Sequence, residues 1–124
     1  MARKKSKFDK PIGKVDIRGT EYKIFLYPKS VYCKRHPGQE AHMTTSPPEM
    51  QFCEGYCTLE TIQHEVFHCF VRSCYTQAMS DLTVYDLEEV ACEMFAHFGV
   101  NMLVISQEIE QLINDTGRGI NESK

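Results

Sequence analysis

From Thr58 to about Gln77, apolar side chains recur every three or four residues, with Leu59, Ile62, Val66, Phe70 and Cys74 on one stripe. That period fits an α-helix and not a strand. Glu60 suits the first turn, where the helix dipole favours an acid. A helix with one apolar side must cover it, so the rest of the chain has to supply a surface for it to lie on. No other segment constrains the fold as much.

The candidate surface precedes it. Val15 and Ile17 alternate with polar neighbours, Arg18-Gly19-Thr20 offers a turn, and Tyr22, Ile24 and Leu26 alternate again, which predicts a β-hairpin ended by Tyr27-Pro28. Between Val31 and Cys57 the pattern is irregular. Short strands are expected at Val31–Cys33 and Ala41–Ser46, the second stopped by Pro47-Pro48. A polar link from Ser80 to Tyr85 leads to a second, longer helix with Asp86 as its N-cap and an end near Asn114. Its stripe is Leu87, Ala91, Met94, Phe98, Met102, Ile105, Ile109 and Leu112, with Gly99 as a possible kink. The expected class is α+β, a small antiparallel sheet packed on the first helix and completed by the second. At 124 residues there is room for one such core. The expected division is a flexible basic arm over 1–13, one domain over 14–115 and a flexible tail over 116–124.

Charge is unevenly spread. Residues 1–14 hold six of the fourteen Lys and Arg and a single acid, Asp9, whereas the remainder carries eight basic and sixteen acidic residues. An acidic body argues against phosphate binding as the main activity, and the arm alone gives little reason to expect a nucleic-acid partner. No apolar run reaches the eighteen or more residues of a membrane helix, and the stretch behind the basic start alternates with charges as no signal-peptide core does. The expectation is a cytoplasmic protein without a membrane role, its six cysteines serving as thiols or metal ligands.

Inside the first helix stands His64-Glu65-Val66-Phe67-His68. Residues four apart lie one turn above each other, so both imidazoles can reach one ion. Glu65 is rotated about 100° from His64, off that line, and suits the role of base towards a water near the metal. A catalytic zinc takes three protein ligands and keeps one position open. Glu88, Glu89 and Glu93 of the second helix are available. Glu89 is favoured because it shares a stripe with Cys92, Ala96 and Leu103, beside Gly99, and these mostly small residues would let the two helices approach closely. Glu93, one turn on, could orient a ligand histidine. The rival reading makes Glu89 a capping-box partner of Asp86, and takes the histidines as plain surface residues.

HEVFH, followed 21 residues after His68 by Glu89-Val90-Ala91-Cys92-Glu93, resembles the HExxH…ExxxD/E arrangement of gluzincins. The run from Glu89 to Ala96, EVACEMFA, resembles that of ImmA/IrrE-type small metallopeptidases of bacteria and phages, with Glu93 where Asn or Asp is frequent. The resemblance covers about residues 14–105, and its specific motifs only 58–68 and 88–96. It implies a zincin-like fold, a zinc ion on His64, His68 and Glu89, and a supporting acid at Glu93. It also implies hydrolysis of a protein or peptide substrate with Glu65 as general base. The segment from Val31 to Cys57 departs from that pattern in its irregularity and its cysteines.

Cys33, His36, Cys53 and Cys57 form C-x2-H…C-x3-C, a spacing that could hold a second, structural zinc. Cys69, Cys74 and Cys92 read as small core residues of the helices. Tyr56, Tyr75, Tyr85 and His97 are candidates for stabilising an oxyanion. Ala41–Ser46 is the expected cleft strand, to which an extended peptide could add by β-augmentation. The competing class is a zinc-containing binding or regulatory protein, of phage or bacterial origin, that cleaves nothing.

Overall fold

A computed structural model describes residues 7–74 and 83–118. Strand β1 (Gly13–Ile17) turns directly into β2 (Thr20–Tyr27). The turn consists of Arg18 and Gly19, both at positive φ (51° and 90°), the two-residue geometry whose twist matches the strands it joins. Asp16 accepts a 2.9 Å hydrogen bond from the Gly19 N–H and holds the turn from the side. Helix α1 (Lys29–Arg35) follows, then β3 (Ala41–Thr45), β4 (Pro48–Cys53), α2 (Leu59–Cys74) and α3 (Val84–Thr116).

The four strands form one sheet in the order β1-β2-β4-β3. β1 and β3 run antiparallel to their neighbours, but β2 and β4 are parallel, so the sheet is mixed where an antiparallel one was expected. The cause is α1. Parallel neighbours need a crossover, and α1 carries the chain away from the end of β2, after which β3 takes the outer edge and β4 returns between.

Strand periodicity separates two cores. Val15, Ile17, Tyr22, Ile24, Leu26, Met50 and Phe52 face α2 and α3, meeting Ile62, Val66, Cys69, Phe70, Met102, Ile105 and Ile109. Phe25, Tyr27 and Cys53 face the other way, against Tyr32 of α1 and against Phe8. Ile62, Val66 and Phe70 are fully buried, each contributing about 1.5–3 kcal/mol. The stripe that predicted α2 thus packs on a sheet, as it had to.

Several expectations are corrected. Val31–Cys33 is helical: Pro28 presets the backbone and its carbonyl accepts from the N–H groups of Val31 and Tyr32, while Lys34 and Arg35 suit the last turn. Pro48 does not end the strand region but opens β4, a strand that the sequence reading missed; as the first residue its absent N–H costs no ladder bond. The cap of α3 is Thr83, whose Oγ1 accepts from the Asp86 N–H at 3.1 Å, so Asp86 is the interior partner of the cap and Glu89 has no capping role. Residues 7–12 are not loose: Asp9 accepts from Tyr27 Oη and from Arg35, and the Ile12 N–H bonds the Ile24 carbonyl. Past the helix, Gly117 closes α3 in the left-handed conformation. Arg118 then reaches Glu54 and the Leu26 carbonyl. The expected α2 residues 75–77 lie outside the described residues.

Candidate metal centre

α2 lies along β3, and between them opens a cleft of about 670 Å3. His64, Glu65 and His68 line one wall, together with Glu60, Thr61 and Arg72; Ala41, His42 and Met43 of β3 line the other. β3 is the outermost strand on this side, so its free edge lies beside the histidines. The strand expected to border the cleft does so, one residue shorter than expected at its C-terminal end.

The imidazoles of His64 and His68 meet edge to face, with ring centres 4.7 Å apart and planes at 84°. Their Nε2 atoms are 3.2 Å apart. Two nitrogens bound at about 2.0–2.1 Å to one ion at a tetrahedral angle lie about 3.3–3.4 Å from each other. The pair therefore has the bite of a zinc chelate. Without a metal, the same separation lets one neutral ring donate its N–H to the other. Desolvation, with smaller contributions from the charges of His64 and Arg72, holds the His68 pKa below the usual histidine value. A neutral imidazole is the form a metal binds.

Glu65 differs from its neighbours. It is only 6% exposed, although its side chain borders the cleft, because a rotation of about 100° from His64 turns it towards the sheet. Burial raises its pKa above the usual carboxylate range, and the adjacent His64 offsets this in part. A desolvated carboxylate beside a cleft is a stronger base than one in water.

α3 does not join this group. Glu89, Glu93 and His97 line a separate hollow with Val90, Met94 and Phe98, and His97 Nε2 lies 3.2 Å from Glu93 Oε1. Glu93 thus pairs with His97 and with neither histidine of α2. The expected face of Glu89, Cys92, Ala96 and Leu103 is exposed. Burial explains why. Met94, Met102, Ile105 and Ile109 gain far more by turning inward than a small-residue stripe would, and Phe70 packs at a tilt against Phe98 with centroids 5.5 Å apart. Cys92 is accordingly exposed rather than core.

The C-x2-H…C-x3-C residues also stay apart as ligands. Cys33 is exposed on α1, and His36 bonds Gln51 through Nε2 at 2.9 Å. Cys57 Sγ donates to the Cys53 carbonyl at 3.1 Å. Burial pushes the Cys53 thiol up to about 11 and the Cys57 thiol up to about 12. Among the described residues, no three His, Cys, Asp or Glu gather as a metal site. The imidazole pair fits two positions of a zinc ion.

Of the suggested oxyanion helpers, Tyr56 packs beside the α1 cluster, Tyr85 is exposed at the start of α3 and His97 belongs to the α3 hollow. Tyr75 lies outside the described residues. The cleft holds His42 and Arg72 instead. The alternation of Ala41–Ser46 could have pointed to His42, and Arg72 follows His68 by one more helical turn. No helix among the described residues is long and apolar enough to cross a membrane. The chain matches no protein-family model, no curated protein and no solved structure, so the site rests on its own geometry.

Proposed function

We propose that the cleft between α2 and β3 is the active site of a zinc-dependent peptidase, with His64 and His68 as metal ligands and Glu65 as general base. The observation that carries this reading is the 3.2 Å approach of the two Nε2 atoms beside a carboxylate that is buried yet borders the cleft. Zinc, when bound, supplies Lewis acidity for the scissile carbonyl and for an attacking water. Glu65 takes the proton of that water and returns it to the departing amine, two transfers that its raised pKa suits. The free edge of β3 offers N–H and C=O groups to an extended substrate backbone. His42 can donate a hydrogen bond to a developing oxyanion.

Glu89 as third ligand stands on the resemblance to gluzincins alone, since it borders another hollow, and its part is tested separately below. That same arrangement favours a second reading, in which two imidazoles bind zinc for regulation or binding without catalysis. One comparison divides the two. Glu65→Gln should keep zinc affinity within about threefold and lower hydrolysis of a quenched fluorescent peptide library by about 10²–10⁴. Unchanged turnover in Glu65→Gln, or no turnover in the zinc-loaded wild type, removes the peptidase reading.

A further inference from the structure

Resting on that reading, we propose that the cleft selects peptides carrying one basic and one acidic side chain about six residues apart. The α2 wall has four polar residues at intervals of four: Glu60, His64, His68 and Arg72 all border the cleft. The dipole favours an acid in the first turn and a base in the last wherever they point. That both open into the same cleft is what a ligand can use. Glu40, just before β3, adds a second carboxylate at the acidic end, where the Thr61 hydroxyl donates to its Oε1 at 3.4 Å. The cleft thus has an acidic end at Glu40 and Glu60 and a basic end at Arg72.

Glu40, Glu60 and Arg72 take part in none of the ion pairs among the described residues. Glu65, buried yet bordering the cleft, lies midway between the two ends. Glu60 and Arg72 are twelve positions apart, about 18 Å along the helix axis. An extended chain covers that in about six residue steps, and an even separation keeps both side chains on one face of the strand. A peptide laid on the β3 edge would place a Lys or Arg at one end and an Asp, Glu or terminal carboxylate at the other.

The test titrates the full chain carrying Glu65→Gln, so that peptide stays intact, into labelled octapeptides with and without zinc. The set holds Lys and Glu six apart in both orders, two Lys, two Glu, and no charge. One mixed-charge order should bind at least tenfold tighter than the doubly basic, doubly acidic and uncharged peptides. Arg72→Glu in the same background should move the preference to the doubly basic peptide. Arg72→Gln, a milder change, should abolish the preference for an acid at that end while far-UV circular dichroism stays constant. Equal binding of all peptides, or a preference that neither substitution moves, overturns the proposal. Zinc uptake by the wild type, measured in parallel, reports on the metal reading alone, so the two can fail separately.

Discussion

Helices α2 and α3 both carry acids and histidines, yet they present them in different settings. On α2 the apolar stripe is sunk in the sheet and the polar stripe is walled by β3, so His64, Glu65 and His68 share a cleft. The first half of α3 has Phe95 at 70% and Val84 at 84% exposure, and its Glu89 and Glu93 line a smaller hollow. Similar residue types thus sit in different dielectric surroundings. Glu65 is pushed up by burial because a sheet stands behind it. A functional group gains its chemistry from the surface opposite it as much as from its own helix.

The largest effect that can break this contrast is on stability. Phe70→Ala should cost about 3–5 kcal/mol in urea denaturation, because the ring is fully buried against the sheet and Phe98. Phe95→Ala should change stability by about 0.5 kcal/mol or less. Equal costs would mean that the first half of α3 is as firmly packed as α2.

Next come the ligands. His64→Ala and His68→Ala should each weaken zinc binding by about a hundredfold or more in calorimetric titration, since each removes one of few anchors. Zinc affinity should also fall with pH as His68 titrates below the usual histidine value, because protons then compete for its Nε2. A profile that stays flat throughout the range below about pH 6.5, where His68 takes up its proton, would place the metal elsewhere.

A smaller effect concerns Glu65 in the folded protein. Its folded pKa lies above its unfolded value, so its contribution to stability is fully present below the unfolded pKa and is lost as pH rises through the folded one. Glu65→Gln removes that loss and should stabilise the metal-free chain at pH 8. Near pH 4 the gain should vanish.

The smallest expected effect is at Glu89, where Glu89→Gln should leave zinc affinity within about twofold, as its place in the α3 hollow implies. A loss of tenfold or more would instead show that α3 brings Glu89 to the ion when zinc is bound.

Periodicity made the two long helices and the β1–β2 hairpin legible, because each buries one face and so repeats at its own period. The imidazole pair was equally legible, since a spacing of four inside a helix fixes its geometry. α1 and β4 were not. Val31 and Tyr32 suit a strand locally, and only Pro28 and the crossover requirement make them helical. Pro48 reads as a stop, although a strand can begin there without losing a bond. The apolar stripe with Met94, Met102 and Ile105 was legible, but the face expected to meet α2 was misjudged, because small residues permit close approach whereas these three gain energy by it. His42 and Arg72 acquire meaning only once β3 is laid beside α2.

Two residues past α3, Arg118 grips Glu54 and the Leu26 carbonyl and lies over the Phe8 ring, with 5.0 Å from guanidinium carbon to ring centre. Both ends of the described chain therefore share a single clasp on the side of the sheet away from the cleft. A purification tag or protease site set before Arg118 would unfasten the opposite terminus as well. One set beyond it leaves the clasp shut.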